Sequence, residues 1–207
     1  MLKILGQMRS INVRKVLCTC AEMGLEFERE DWGAGKRSTG EPRFLALNPN
    51  GLVPVLVDDD FVLWESNTIC RYLAAREQRA DLLPASPRAR ALVEQWMDWQ
   101  ATELNNAWMY AFVALVRKNP AFADEARITS SISAWNRQMH LLNQRLSSTG
   151  AFVVGTDFTL ADVGIGLATH RWFQSPIERP ALGAVSAYYA RLQQRPSLQQ
   201  YFEAGGP

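Results

Sequence analysis

Between Asn48 and Ser66 the chain places, in one short stretch, several groups able to grip a peptide-like zwitterion. It reads Asn48-Pro49-Asn50-Gly51-Leu52-Val53-Pro54-Val55-Leu56-Val57, then Asp58-Asp59-Asp60, then Phe61-Val62-Leu63-Trp64-Glu65-Ser66. Pro54 forces an extended backbone on Val53 and cannot lie inside a strand ladder. The Val53 N–H and C=O are therefore left without an obvious partner, and a second peptide could pair with them as a short extra strand. Ser66 precedes the helical pattern Thr68-Ile69-Tyr72-Leu73 and reads as its N-cap. A helix N-terminus with a hydroxyl and open N–H groups attracts a carboxylate, and Glu65 beside it attracts an ammonium. Each feature taken alone is also what an ordinary turn, hairpin and capped helix would present.

Other residues with chemical potential are weaker candidates. Cys18 and Cys20 lie two apart on a helix and face different sides, so they form neither a redox Cys-x-x-Cys nor a zinc pair. Cys20 is expected in the core, and Cys70 in the helix after Ser66. His140 and His170 have no cysteine or carboxylate at ligand spacing; both are expected to be partly exposed helix residues, and no metal is expected. Thr159-Leu160-Ala161-Asp162 follows the capping-box pattern, with Phe158 and Val163 as its hydrophobic staple, which makes Asp162 structural rather than catalytic. Trp108, Met109 and Phe112 could wall an apolar pocket that Trp172 closes; core packing explains them equally well.

These residues must be positioned by local elements. Leu2 to Leu5 reads as a strand, and Asn12 to Met23 as a helix with Val13, Val16, Leu17 and Cys20 at helical spacing, ended by Gly24. Glu26 to Trp32 alternates as a second strand, so this strand-helix-strand run predicts parallel pairing. Gly33 to Gly40 is glycine-rich and basic, and Pro42 to Leu47 suits a short helix. Two apolar runs around the three aspartates then signal a hairpin. Residues 1–79 thus read βαβ followed by ββα. Residues 80–87, with two prolines at a change of texture, form the candidate linker.

Residues 88–207 show no convincing strand. Arg88 to Arg117 is a long helical pattern with Leu92, Trp96, Trp99 and Glu103 on one side. Ile128, Ile132, Trp135, Met139, Leu142 and Leu146 step by four and three, the cleanest helical stripe in the chain. Leu160 to Trp172, Leu182 to Gln194 and Ser197 to Phe202 complete a helical half.

The 207 residues carry a net charge of +1, which gives no bulk pull toward nucleic acid or an anionic membrane. The longest apolar run, Trp108 to Val116, is too short to span a bilayer, and Met1 to Gln7 turns polar too soon for a signal peptide. The cysteine count, three, fits a reducing compartment without a disulfide framework. The expected location is the cytoplasm.

Together, a βαβ-ββα domain with an Asn-Gly-x-Val-Pro turn and a Glu-Ser helix start, a linker, and a helical domain with a Gly-x-x-Phe-Thr-x-Ala-Asp box (Gly155 to Asp162) resemble the cytosolic glutathione transferases over the whole chain. The resemblance implies a thioredoxin-like domain joined to a helical bundle. It implies a cis Pro54, a Val53 backbone that pairs with the cysteinyl part of glutathione, and Glu65 and Ser66 holding the γ-glutamyl end. It also implies a homodimer, with the acceptor pocket between the domains of a subunit. The family's activating residue follows the first strand. Here Gln7 to Asn12 contains neither tyrosine nor cysteine, so Ser10 is the matching residue and Asn12 the second donor in reach, as in the serine-type bacterial branch. Where the family often carries Lys or Gln before Val-Pro, this chain has Leu52, which leaves Asn50 or the Lys36-Arg37 loop as substitutes for the glycyl carboxylate.

The implied chemistry is thiolate formation on glutathione, the co-substrate, and attack on a small hydrophobic electrophile. A thiol near pKa ~8.5 needs about 2.7 kcal/mol of preference for the anion to fall two units. One hydrogen bond to a charged group contributes roughly 1.5–3 kcal/mol, so a Ser10 hydroxyl at a helix start suffices without a metal. The same site could instead serve glutathione-dependent reduction of disulfides or peroxides. A non-catalytic, partner-binding use of the fold is the reading from another class.

Overall fold

The computed structural model describes residues 1–203 and 206. Strand β1 (Leu2–Leu5) lies inside a four-stranded sheet of order β2-β1-β3-β4. Helix α1 (Ile11–Met23) ends at Gly24, whose φ of 67° is the left-handed conformation that glycine adopts without a Cβ penalty. The helix returns the chain so that β2 (Glu28–Glu30) runs parallel to β1. This strand is shorter than the Glu26–Trp32 alternation suggested. Trp32 leaves it to bridge to Arg37 and to pack its ring 5.0 Å from that of Phe44, in the short helix α2 (Pro42–Leu45).

The hairpin forms as read. Strands β3 (Val55–Asp58) and β4 (Phe61–Trp64) pair antiparallel, and β3 also pairs antiparallel with β1. Helix α3 (Ser66–Arg76) packs back on the hairpin, where Asp58 accepts hydrogen bonds from the Tyr72 hydroxyl at 2.7 Å and from Arg76 at 2.6 Å. The sheet and its helices form a thioredoxin-like unit, and the rest of the chain is helical.

Residues 80–86 lead to α4 (Pro87–Trp99), with Pro87 as its first residue. This segment is anchored: Leu82 and Leu83 are buried, and the Leu82 carbonyl accepts from the Leu160 N–H at 3.0 Å. The long pattern from Arg88 to Arg117 is α4, a π-helical turn (Gln100–Leu104) and α5 (Asn105–Leu115) in succession. The side marked by Leu92, Trp96, Trp99 and Glu103 is not the most buried one. Leu92 is 48% exposed and Glu103 lies on the surface, whereas Val93, Met97, Gln100, Leu104 and Trp108 face the core. A polar residue, Gln100, sits mid-stripe and conceals the buried face from a hydrophobic count.

Helix α6 (Glu125–Thr149) buries Trp135, Met139, Leu142 and Leu146 as their spacing requires. Ile128 and Ile132 are only partly buried; Ser131 takes the inward place, donating to the Ala107 carbonyl at 2.6 Å and accepting from the Ala111 N–H at 3.1 Å. Helix α7 (Leu160–Gln174) opens with the predicted capping box and runs through the middle of the helical half, followed by α8 (Gly183–Gln193) and α9 (Pro196–Glu203). His140 is exposed, but His170 is not: its ring stacks on Phe202 at 4.6 Å and its Nδ1 lies 2.7 Å from the Tyr189 hydroxyl. The aromatic neighbours from α8 and α9 explain that burial, and they lie outside any local pattern. One apolar core runs from β1, α1 and α3 through to α4–α9, and a smaller cluster of Leu5, Trp32, Phe44 and Val55 covers the other face of the sheet.

Candidate active site

Three segments converge at Gly6, directly after β1. A Cβ there would stand 2.4 Å from Val13 Cγ2 and 3.2 Å from Val53 Cβ, so only glycine lets the start of α1 and the Val53 turn come this close. The Ser10 N–H donates to the Gln7 carbonyl at 3.1 Å and turns the chain into α1. Ser10 is the N-cap of α1, and its Oγ accepts from the Val13 N–H at 3.4 Å. That leaves the hydroxyl proton free for an outside acceptor.

The Val53–Pro54 peptide is cis, and among the described residues neither the N–H nor the C=O of Val53 has a backbone partner. The turn before it is held by buried Asn48. Its Nδ2 donates to the Leu52 carbonyl at 2.8 Å, and its Oδ1 accepts from the backbone and side-chain nitrogens of Asn50, each at 3.0 Å. Asn50 is thus folded back on Asn48, and the Leu52 side chain is 64% exposed. Arg37 and Lys36 stand in exposed ion pairs, with Glu30 at 2.9 Å and Asp31 at 3.9 Å.

Helix α3 starts one residue earlier than its sequence indicates. Strand β4 runs to Trp64, so Glu65 alone makes the turn from strand to helix, at φ 74° and ψ 109°. Glu65 therefore holds the cap position and Ser66 is the first helical residue. A non-glycine residue held at such angles costs on the order of 1–3 kcal/mol, and such strain clusters at ligand sites. Glu65, Ser66 and Asn12 line one cleft of about 260 Å³, joined by Lys15, Arg71 and Asn105.

The floor of this cleft is polar and was missed by sequence reasoning. Lys15 is 2% exposed, and its Nζ lies 3.4 Å from Asn67 Oδ1. Burial pushes the Lys15 ammonium down to about 8. Asn67 in turn donates to the Met97 carbonyl at 2.9 Å, which ties α3 to α4. Asn105 Oδ1 accepts from Gln100 at 2.8 Å and from the Trp108 indole at 3.1 Å. Gly164 on α7 makes room for this layer, since a Cβ there would meet Gln100 Oε1 at 3.1 Å and Lys15 Cε at 3.4 Å. The available signal was that Asn12 and Lys15 are three apart and share a face of α1.

The expected acceptor wall is mostly interior. Trp108 and Phe112 are buried, and Trp172 does not close an open pocket: it is buried with its indole donating to Asn136 on α6 at 2.9 Å. Only Met109 among the four is exposed, at 49%. A separate groove of about 670 Å³, lined by residues such as Glu22, Asp81, Phe158 and Arg195, contains none of the site residues. Cys18, Cys20 and Cys70 are unpaired and buried. Among the described residues no group of three His, Cys, Asp or Glu side chains is placed to hold a metal ion, and no helix is long and apolar enough to cross a membrane.

Residues 9–76 match the N-terminal domain of glutathione S-transferases. Over 202 residues the chain is 36% identical to glutathione S-transferase GstB of Escherichia coli strain K12, with 97% of each chain covered. The chain belongs to the glutathione S-transferase family. It is also 31% identical to glutathione S-transferase 3 of Zea mays, covering 96% of this chain and 92% of that one. The crystal structure of a theta class glutathione S-transferase from Xanthomonas axonopodis pv. citri, with glutathione bound, superposes at a TM-score of 0.91 with 36% identity, covering 98% and 97% of the two chains. Within this glutathione S-transferase fold, Ser10, Val53 and the Glu65–Ser66 pair all sit on the thioredoxin-like unit, and α4, the π-helical turn and α5 form the facing wall.

Proposed function

We propose that this glutathione S-transferase conjugates glutathione to small electrophiles, with Ser10 stabilising the thiolate. The observation that carries the reading is the convergence at Gly6 of an N-cap hydroxyl with a free proton and an unpaired Val53 backbone. The cysteinyl unit of glutathione pairs with that backbone as a short added strand, which sets its sulfur toward the start of α1. Its γ-glutamyl ammonium meets the Glu65 carboxylate, and its α-carboxylate meets Ser66 and the open N–H groups of α3. Ser10 donates to the sulfur, Asn12 being the second donor in reach, and the N-terminus of α1 adds about 0.3–1 kcal/mol in favour of the anion. The acceptor enters between the thioredoxin-like unit and the α4–α5 wall, near Met109. The exposed Leu52 leaves the glycyl carboxylate to Asn50 and to the Lys36–Arg37 loop.

We assign residues 1–79 and 88–207 as the two domains, with 80–87 as the joining segment. The unpaired cysteines fit the reducing cytoplasm, and the working form is a homodimer. Titration of the protein with glutathione by calorimetry, followed by a chlorodinitrobenzene conjugation assay, tests the activity. Saturable binding with conjugation above the uncatalysed rate is expected, and absence of binding at millimolar glutathione overturns the reading.

A further inference from the structure

One cation of the candidate cleft has no task in the reading above. Lys15, on α1, is 2% exposed and lines the cleft together with Ser66, Asn67 and Thr68, the first three residues of α3. The first amide of that helix to find a backbone acceptor is that of Ile69, which donates to the Glu65 carbonyl at 2.9 Å. The N–H groups of Ser66, Asn67 and Thr68 are therefore open at the end of the helix that lines the cleft.

The ammonium sits against this helix end. Lys15 Nζ lies 3.4 Å from Oδ1 of Asn67, a long contact and its one hydrogen bond among the described residues, although an ammonium has three protons to give. A helix N-terminus carries positive partial charge and repels a cation placed beside it. Two positive features thus face one cleft of about 260 Å³, an arrangement unfavourable by itself and relieved by an anion between them. Of the carboxylates that line the cleft, Asp98 is bonded to Arg71, and Glu65 holds the cap position of α3. Burial lowers the Lys15 ammonium to about 8; among the groups that face it, Cys70 and Glu65 oppose that fall, and Arg171 and Arg71 add to it.

We propose that Lys15 is a specificity-determining residue for the thiol substrate, its ammonium sharing the α-carboxylate of the γ-glutamyl unit with the head of α3. This rests on the glutathione-binding reading above and deepens it. Ser66 and the open amides orient the carboxylate as neutral donors, and Lys15 supplies the full opposite charge, which makes the hydrogen bond a strong one. The cleft therefore selects thiols that carry a free carboxylate beside the γ-glutamyl ammonium.

Calorimetry at pH 7 with glutathione and with 4-aminobutyryl-cysteinyl-glycine, in which a hydrogen replaces that carboxylate, tests it. The wild type is expected to prefer glutathione about a hundredfold, and Lys15→Met and Lys15→Gln to cut that preference about tenfold. A lysine that merely packs the floor would lower both affinities alike when replaced, so a preference unchanged in both variants overturns the proposal. Should neither variant fold, NMR of the wild type labelled with ε-¹³C-lysine decides. Lys15 is the buried one among Lys3, Lys15, Lys36 and Lys118, so its titration stands apart. Saturation with S-methylglutathione is expected to raise its pKa by about one unit, and the S-methyl form of the analogue to leave it without a rise; equal effects of the two ligands overturn the proposal. Failure of glutathione to bind at all removes the transferase reading together with this one, whereas binding that ignores the α-carboxylate removes this one alone.

Discussion

At the scale of single residues, the question is which donor meets the sulfur. Ser10 Oγ already accepts from Val13, so its proton is the free one. Asn12 lies in the first turn of α1 and lines the cleft. Ser10→Ala is expected to lower the conjugation rate with chlorodinitrobenzene far more than it lowers glutathione affinity. The pKa of bound glutathione, followed by thiolate absorbance against pH, should rise by about one unit, or ~1.4 kcal/mol. A rise in Asn12→Ala alone would assign the role to Asn12, and no rise in either removes the mechanism. Glu65→Ala and Ser66→Ala are each expected to weaken glutathione binding about ten- to a hundredfold, from loss of a hydrogen bond to a charged group worth roughly 1.5–3 kcal/mol. Unchanged dissociation constants in both folded variants would contradict that placement.

At the scale of elements, two buried groups on α7 set stability without touching the site. The Asp162 carboxylate accepts from the Val153 N–H at 2.9 Å, the Thr159 N–H at 2.9 Å, the Thr159 hydroxyl at 3.1 Å and the Tyr188 hydroxyl at 3.0 Å. Asp162→Ala strands these donors at about 1–3 kcal/mol each, which partial relaxation reduces to a net ~3–5 kcal/mol. The melting midpoint is expected to fall on the order of 10 °C with glutathione affinity per folded molecule unchanged; a selective loss of affinity would make Asp162 a site residue.

His170 gives the same helix an acid dependence. Burial, and then the Arg14 charge, lower its pKa from 6.5 to about 4, so the fold holds it neutral. Between those values the unfolded chain binds the extra proton, and stability present above pH 6.5 is lost as pH falls toward 4, by about 3 kcal/mol. Asp162, pushed up to about 6 by burial, works in the opposite sense, favouring the fold as pH falls through 6. Denaturant midpoints of the wild type relative to His170→Gln, measured from pH 7.5 to 4.5, isolate the histidine: the wild-type margin should shrink with acidification, and a constant margin refutes it.

At the scale of the whole molecule, the exposed apolar side chains Phe61 and Trp64 on edge strand β4 and Leu92 on α4 fit an interface between two copies of the chain. Sedimentation is expected to give about twice the 23.3 kDa of one chain, and Leu92→Glu to shift the population toward the monomer, since burying an unpaired charge in an apolar contact is costly. A monomer at all concentrations would remove the dimer.

Much of the molecule was legible in the sequence because short-range physics decides it. The β1 and α1 patterns, the Gly24 stop, the hairpin around the aspartates, the α6 stripe and the Thr159–Asp162 box each follow from periodicity or from one backbone conformation that few residues allow. Val53, Pro54, Glu65 and Ser66 stood out as punctuation of those elements, whereas Ser10 was singled out only by the family resemblance. Local pattern placed the cap at Ser66, but the length of β4 moved it to Glu65. Only the tertiary structure decided where Lys15, Gln100, His170 and Arg171 lie. Pattern alone sends such residues to the surface. Their burial depends on what distant elements bring against them: Asn67 against Lys15, Gly164 beside Gln100, Phe202 on His170, and Trp108 and Phe112 beneath Arg171. No sequence-local property encodes those neighbours.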